Sequence, residues 1–253
     1  MYCTGWEGET QNFLSQIHAN LIISGATSDD LSLACLVISY SSLRGPDIAR
    51  SVFDSSPNPT SPVLWNSIIR AYTRARRHSE ALAIYHSMSD RNLAPDKHTF
   101  TFVLKACTGA SDSQLGLSIH RQIKRRGLES DVFIGTALVD MYCKLGRIRT
   151  AREVFDRMPV KDVVAWNALI AGLEALREGM ALHAHAVKIG FESSYLVGNS
   201  LIDVYSKCGR LDFAERLFDW MLERDTVSWN AMLNGYAIHG RGEEAVSLFS
   251  RMM

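Results

Sequence analysis

The stretch VVAWNALIAG, residues 163–172, decides the fold because two close copies of it occur elsewhere in the chain. The copies are PVLWNSIIRA at residues 62–71 and TVSWNAMLNG at residues 226–235. All three share a Trp-Asn pair, and those at Trp65 and Trp229 are followed by an Ala-x-x-x-Tyr or Ala-x-x-x-Phe pattern. Such self-similarity predicts an array of short helical units, in which function lies on a repeated surface rather than in one catalytic pocket.

A second pattern predicts the packing between these units. An Ala is followed four residues later by an aromatic residue, and most copies place a Met three residues further on. Spacings of four and three put the side chains on one face of a helix, where they are expected to form core contacts. The small Ala permits close approach of a neighbouring helix, and the larger side chains fill the space between units. The pairs are Ala49/Phe53, Ala81/Tyr85, Ala151/Phe155, Ala214/Phe218 and Ala245/Phe249, and the methionines are Met88, Met158, Met221 and Met252.

The spacing of the Trp-Asn pairs divides the chain into repeats. Trp65 and Trp166 lie 101 residues apart, which equals successive units of 35, 35 and 31 residues, whereas Trp166 and Trp229 lie only 63 apart. The shortened cycle predicts a hybrid unit interrupted near Gly172, arising from a deletion, a splice variant or a gene-model error. The predicted units are a partial one at 1–29, then 30–61, 62–96, 97–131, 132–162, the hybrid 163–194, 195–225 and a truncated one at 226–253.

Composition excludes several classes of protein. The 253 residues are 47% hydrophobic, which favours a packed core over disorder. Lys plus Arg equals Asp plus Glu at 27 each, so overall charge indicates no partner, although three local clusters of basic residues are either solvated helix ends or a phosphate-binding edge. The five cysteines form no Cys-x-x-Cys pair, and no apolar run approaches the roughly 18 residues of a membrane span. We therefore expect neither a zinc site nor a membrane partner.

Catalytic signatures are also missing from the sequence. There is no Gly-rich phosphate loop, no nucleophile elbow, and no His-x-Glu with Pro-Cys-x-x-Cys of the zinc deaminases. In the sequence His183-Ala184-His185, residues two apart on a helix point in different directions, which argues against a metal pair. Residues 1–11 contain Glu7 and Glu9 and no Arg, unlike a transit peptide. We expect no enzyme activity, cofactor or metal.

The repeats resemble those of the pentatricopeptide repeat family. The resemblance rests on residues 164–172, on Leu138-Val139-Asp140-Met141-Tyr142-Cys143-Lys144 and on residues 230–236, whereas the Trp-x-x-Leu-Gly-x-x-Tyr pattern of tetratricopeptide repeats is absent. Alternating lengths of 35, 35 and 31 are similar to the P, L and S units of the plant P-L-S subclass. The resemblance implies an all-α fold, a right-handed α-solenoid of stacked two-helix repeats, in which the first helix of each repeat binds single-stranded RNA.

The resemblance also implies which side chains read each base, namely the fifth and last residues of a unit. The implied readers are Asn66 with Asp96 for uracil, Thr101 with Asp131 and Thr136 with Asp162 for guanine, Asn167 with Ser194 for cytosine, Asn199 with Asp225 for uracil, and Asn230 without a partner. With the protein N-terminus toward the RNA 5′ end, the predicted target is 5′-UGGCU-3′. The second residue of each unit is implied to be a wedge between bases: Val63, His98, Phe133, Val164, Leu196 and Val227.

The family suggests a specificity factor for RNA editing or processing in a mitochondrion or chloroplast. Catalysis would then come from RNA-editing cofactors or a deaminase supplied in trans, or from a further domain. Two alternatives stay open at this stage, a protein-interaction scaffold of tetratricopeptide type and a non-functional fragment. Recurring Asn or Thr paired with Asp at the unit boundary favours the RNA-binding interpretation, because a peptide-binding groove does not require that pairing.

Overall fold

The computed structural model describes residues 15–20, 29–56, 58–172, 180–181, 183–184, 186 and 195–252. Within these residues the secondary structure is helical and contains no strand, which confirms the predicted all-α class of two-helix repeats. No helix in the described part is both long and apolar enough to cross a membrane. The α-helices are α1 (Asp30–Leu43), α2 (Pro46–Asp54), α3 (Pro62–Arg74), α4 (His78–Asp90), α5 (Lys97–Gly109), α6 (Ser113–Arg125), α7 (Val132–Lys144), α8 (Ile148–Arg157), α9 (Val163–Ala171), α10 (Tyr195–Lys207), α11 (Leu211–Trp220), α12 (Thr226–Ile238) and α13 (Gly242–Met252).

The chain forms two compact units, Met1–Leu128 and Glu129–Met253. In the first unit, α1 and α3 pack side by side, as do α3 and α5, and each also packs against the helix that follows it. In the second unit the same order connects α7, α9, α10 and α12, while α8, α11 and α13 pack against the helices before them. Each unit is therefore a row of first helices with second helices attached to it.

Tight turns connect the two helices of a pair. Gly146 lies between α7 and α8 with φ of 70°, a conformation that costs a residue with a Cβ atom about 1–2 kcal/mol. The N–H of Arg147 then bonds to the carbonyl of Tyr142, which satisfies one of the free carbonyls at the end of α7. The turn thereby ends the first helix and starts the second within three residues.

The Trp of each Trp-Asn pair joins consecutive helix pairs. Phe53 contacts Trp65 edge-on with ring centroids 4.9 Å apart. Phe155 and Trp166 repeat this geometry at 4.8 Å, and Phe218 and Trp229 repeat it at 5.0 Å. Edge-to-face contact is the preferred arrangement of two aromatic rings. The predicted role of the Ala-x-x-x-Phe pattern in packing between repeats is confirmed at these three places.

The last copy of the pattern behaves differently. Phe249 on α13 is 52% exposed, whereas Phe155 at the same place in its pattern is fully buried. Among the described residues no Trp-bearing helix packs against Phe249, so the ring lacks the contact that buries its counterparts. The pattern predicts burial only where a first helix lies against the second helix that carries it.

Candidate nucleic-acid interface

The second residue of each first helix is exposed. Val63, Phe133, Val164, Leu196 and Val227 have exposed fractions between 42% and 70%, and His98 on α5 is exposed as well. Single exposed apolar residues are common on protein surfaces and need no explanation. Here, however, an apolar or imidazole side chain is exposed at the same place in six first helices. None of the six implied wedge residues is buried in the core, so all six side chains are accessible to a ligand.

The last residue of a repeat caps the first helix of the next one. The carboxylate of Asp96 accepts a hydrogen bond from the N–H of Thr99 at 2.7 Å. Asp162 accepts from the N–H of Ala165 at 2.7 Å, and Asp225 accepts from the N–H of Ser228 at 2.8 Å. Asp131 accepts from two N–H groups at the start of α7. Four implied reader carboxylates are thus fixed by the helix they precede.

The same carboxylates also hold the fifth residue of the preceding first helix. The Asn66 side-chain Nδ2 donates to both carboxylate oxygens of Asp96, at 3.0 and 3.1 Å. Asn199 Nδ2 donates to Asp225 Oδ1 at 3.1 Å. The structure therefore brings these implied reader pairs together. The amide of each Asn points its nitrogen toward the carboxylate and its oxygen away from it.

In a third implied reader pair, Thr136 and Asp162, the hydrogen-bond donor is a hydroxyl instead of an amide. Thr136 Oγ1 lies 3.3 Å from Asp162 Oδ1 and donates to it. A hydroxyl that donates to a carboxylate still has lone pairs with which it can accept a hydrogen bond from a ligand. This pair thus presents an acceptor where Asn66 and Asn199 present an amide, which is a chemical difference between the repeats.

Thr99 completes the arrangement around Asn66. Its hydroxyl is fully buried, lies 2.7 Å from Asn66 Oδ1 and 2.9 Å from Asp96 Oδ1, and accepts from the N–H of Asp96 at 3.1 Å. Thr99 thereby closes a capping box with Asp96 and orients the Asn66 amide at the same time. Sequence reasoning missed this residue. An Asp followed three residues later by Thr, directly before an apolar run, is the signal that could have found it.

Asn199 is held less tightly than Asn66. Its amide nitrogen bonds to Asp225, but Ser228, which corresponds to Thr99, directs its hydroxyl to Asp225 instead. The Asn199 Oδ1 atom is buried without a hydrogen-bond partner among the described residues. Buried acceptors without partners are uncommon, since losing water costs free energy. The Asn199 oxygen therefore has an unused capacity to accept a hydrogen bond.

Hydrogen bonding lowers the pKa of two of the capping carboxylates, Asp96 and Asp225. Burial raises the pKa of Asp96, but bonds from the Thr99 N–H, the Asn66 amide and the Thr99 hydroxyl outweigh it and hold the pKa below its usual value. For Asp225 the bond from the Ser228 N–H is the main cause of a lowered pKa, with further bonds from the Ser228 hydroxyl and Asn199. Both groups are anions at neutral pH and act as acceptors only.

Asn66 and Asp96 line a surface cleft of about 320 Å³, which we call the Asn66 cleft. Val63 and His98, the second residues of α3 and α5, both line it together with Asn66 and Asp96. Two implied wedges therefore lie beside one implied reader pair. The complete lining is Ile38, Val63, Asn66, Ser67, Arg70, Asp96, His98 and Phe102.

The remaining implied readers are placed in different ways. The Thr101 hydroxyl donates to the carbonyl of Lys97 in its own helix, and Asp131 belongs to the other compact unit. Asn167 Oδ1 accepts from the hydroxyl of Ser200 at 3.0 Å, while its implied partner Ser194 lies outside the described residues. Asn230 is exposed on α12. In the described part of the chain, no group of three or more His, Cys, Asp or Glu is placed to hold a metal ion.

The fold and the repeated Asn–Asp contacts define a helical-repeat protein, and comparison with known families identifies the repeat. Models described as PPR repeat or PPR repeat family match residues 60–109, 126–159, 199–225 and 227–253. Together these segments cover more than half of the chain. The chain therefore belongs to the pentatricopeptide repeat family.

Curated relatives and solved structures agree with this assignment. Pentatricopeptide repeat-containing protein At2g39620 of Arabidopsis thaliana is 39% identical over 96% of this chain and 33% of its own length. The chloroplastic protein CRR2 of the same plant is 32% identical over 99% of this chain and 45% of its own length. The chain thus spans less than half of each of these relatives. Other Arabidopsis relatives are named as chloroplastic or mitochondrial.

A solved structure shares the fold. The pentatricopeptide repeat protein PPR10, crystallised in complex with an 18-nt psaJ RNA element, superposes with a TM-score of 0.75. The two are 18% identical, and the match covers 99% of this chain and 38% of PPR10. At this level of identity the likeness supports the helical-repeat fold and carries no information about individual binding residues.

Proposed function

We propose that this chain binds single-stranded RNA in a sequence-specific manner, with one nucleotide per repeat. The observation that carries the proposal is the Asn66 cleft. There, side chains from two consecutive first helices, Val63 and His98, lie on the same cleft as the Asn66–Asp96 pair. An unpaired base can stack between apolar or aromatic side chains, and its edge can form hydrogen bonds with a polar group between them.

The hydrogen-bond geometry favours uracil at this cleft. Uracil presents one N–H donor between two carbonyl acceptors, and a side-chain amide supplies both a donor and an acceptor. Asp96 and Thr99 fix the direction in which the Asn66 amide points. When one N–H of Asn66 is shared between the two oxygens of Asp96, the second N–H and one lone pair of the amide oxygen remain for the base. Fixing a polar group in advance reduces the entropy lost on binding and sharpens the choice of base.

The other reader pairs extend this proposal to a short RNA sequence. Under the pairing implied by the family, the five repeats from Pro62 to Asp225 would read 5′-UGGCU-3′, with the protein N-terminus at the 5′ end. Contact between Thr136 and Asp162 and between Asn199 and Asp225 supports two of the further positions. The presence of an RNA element in the PPR10 crystal supports the class of ligand.

In the cell we propose a specificity factor of the P-L-S subclass for organellar RNA editing or processing. The chain would select the site, while RNA-editing cofactors or a deaminase acting in trans, or a further domain, would supply the chemistry. The absence of a zinc-deaminase signature from the sequence supports a non-catalytic role for these residues. Relatives named as chloroplastic or mitochondrial support one of those organelles.

A binding titration tests the proposal. Fluorescence anisotropy would compare a labelled RNA containing UGGCU with its scrambled version, and we expect the first to bind more tightly. Asn66→Ala should reduce the preference for uracil at the first position, with an expected loss of about 1–3 kcal/mol of discrimination, comparable to one base contact. Asn234→Ala is the matched control, because Asn234 is an exposed Asn of a first helix outside the reader positions.

The outcomes distinguish the components of the proposal. Equal affinity for both RNAs would refute the reader pairs, and no detectable RNA binding would refute the class of ligand. If Asn66→Ala instead unfolds the first unit, as measured by circular dichroism, Asn66 acts as a structural residue rather than a reader.

A further inference from the structure

Arg70 has no hydrogen-bond or ion-pair partner in the described part of the chain. It is exposed on α3, lines the Asn66 cleft, and makes no hydrogen bond or ion pair with any residue that the structure describes. It lies four residues after Asn66, one turn further along the same face of the helix, or about 6 Å at 1.5 Å per residue. A cation therefore stands beside the proposed base site with its charge unused.

One other basic side chain of the same local cluster, Arg77, is engaged in ion pairs. Arg77 pairs with Asp47 at 2.5 Å and with Glu80 at 2.7 Å. Elsewhere in the first unit, Arg126 donates to the carbonyl of Pro95 at 2.6 Å. The basic cluster seen in the sequence thus separates into residues that stabilise the fold and residues, such as Arg70, that do not.

The environment of Arg70 is also unfavourable within the helix. Arg74, four residues later on α3, is exposed and likewise unpaired within the described residues. Like charges at this spacing repel each other and destabilise a helix. Arg74 lies in the last turn, where a cation is favoured by the helix dipole, but Arg70 lies a turn earlier and lacks that explanation. An anion bound between the two guanidinium groups would remove the repulsion.

The second unit shows the opposite arrangement at the same helical positions. Asp140 and Asp203 are the ninth residues of α7 and α10, as Arg70 is of α3. Each carboxylate binds the lysine four residues later, with Lys144 at 2.8 Å and Lys207 at 2.6 Å. These helices present neutral ion pairs where α3 presents two cations. The difference between α3 and these helices is therefore in charge and not in shape.

We infer that Arg70, together with Arg74, binds a phosphate of the RNA strand next to the nucleotide read by Asn66. This inference rests on the proposed function and adds the backbone contact that the base readers do not provide. Phosphate contacts fix the register of a nucleic acid without reading its sequence, whereas base-edge contacts supply the specificity. Arg70 and Asn66 would then divide these two tasks within one cleft.

Salt dependence of RNA binding tests this inference. For single-stranded nucleic acid, each neutralised phosphate contributes about −0.7 to the slope of log K against log salt concentration. We expect Arg70→Gln to make the slope less negative by about 0.7 and to leave the preference for uracil at the first position unchanged. Asn66→Ala should have the opposite effect, with an unchanged slope and a reduced preference.

Two controls make the test specific. Arg121→Gln removes an exposed cation from a separate cleft on α6, lined by Ser118, Arg121, Gln122, Arg125 and Arg126, and should leave the slope unchanged. In a series of RNAs, one phosphate at a time would be replaced by a neutral methylphosphonate. The wild-type protein should bind more weakly when the replaced phosphate is at one particular linkage near the first uridine. At that linkage the loss should be absent with Arg70→Gln.

Each result has a defined meaning. An unchanged slope in Arg70→Gln, or an equal change in Arg121→Gln, would overturn the inference and leave the base-reading proposal intact. If wild-type protein shows no RNA binding at any salt concentration, the proposed function itself fails, and the assignment of Arg70 fails with it.

Discussion

Replacing Thr99 by Val should loosen both a helix start and the proposed base reader. Val keeps the shape of Thr but removes the hydroxyl, which is fully buried between Asn66 and Asp96. The variant therefore loses the hydrogen bond that the hydroxyl donates to a carboxylate or amide oxygen. It also loses the acceptor for the N–H of Asp96. Bonds to charged groups contribute about 1.5–3 kcal/mol and neutral ones about 0.5–1.5. Since water reaches the partly buried Asp96 and replaces some of this, we expect a loss of about 2–3 kcal/mol.

Hydrogen exchange followed by mass spectrometry is the suitable assay, because helical arrays can open in segments rather than all at once. Since 1.4 kcal/mol is a factor of ten, amides of α3 and α5 should lose protection by roughly 30- to 150-fold. Thr108→Val is the control, because among the described residues the Thr108 hydroxyl bonds only to the carbonyl of Leu104 in its own helix. Equal effects of the two variants would refute a special role for Thr99.

Thr99→Val should also weaken the preference for uracil at the first RNA position, because the Asn66 amide loses one of the two groups that orient it. The anisotropy titration described for Asn66→Ala measures this preference. A variant that loses protection in α5 but keeps full preference for uracil would show that Asp96 alone orients the amide.

Three further predictions concern the fold. Phe155→Ala should destabilise the second unit by about 3–5 kcal/mol in urea unfolding, because Phe155 is fully buried against Trp166, whereas Phe249→Ala, at an exposed copy of the same position, should cost under about 1 kcal/mol. Equal losses of stability in the two variants would contradict the role of the Phe155–Trp166 contact in joining the repeats. Gly146→Ala should cost about 1–2 kcal/mol in the same assay because of its positive φ, while Gly242→Ala should be neutral within about 0.5 kcal/mol. The pKa of Asp96 is lowered by folding, so its contribution to stability is present above the unfolded pKa of about 3.9 and is lost as pH falls through the folded value. The stability difference between wild type and Asp96→Asn should therefore shrink below about pH 4 in acid titrations, and a difference that stays constant down to pH 2 would contradict it.

Spacing in the sequence was enough to predict the helical fold and the joints between repeats. An Ala followed four residues later by Phe fixes one helix face whatever the surroundings, and the recurring Trp-Asn pair marks where the next helix begins. The structure confirms this at Phe53, Phe155 and Phe218. Phe249 shows the limit of such reasoning, because burial depends on the neighbouring helix and not on the residue's own pattern.

The candidate site could be predicted only in part. The family pattern named Asn66 and Asp96, but it did not predict that Asp96 also caps α5 or that Thr99 bonds to both. These contacts depend on how one helix start meets the preceding helix, which residue identity alone does not reveal. Arg70 could not be separated from neighbouring arginines in the sequence, since only the structure shows that Arg77 is paired, whereas Arg70 has no partner among the described residues. The repeat boundaries and the base assignments stay predictions.

Under the proposed function, the helix caps would limit how the RNA target of this protein can evolve. Ser61, like Asp96, accepts a hydrogen bond from an N–H at the start of the following helix. If the last residue of a repeat also selects a base, then a mutation that changes the base must still leave a side chain able to cap. Asp, Asn, Ser and Thr meet that condition, and most other residues do not. The need to cap the next helix would thus restrict the last position of a repeat to a few residue types. New RNA targets would then arise more readily by rearranging whole repeats than by point mutation at this position.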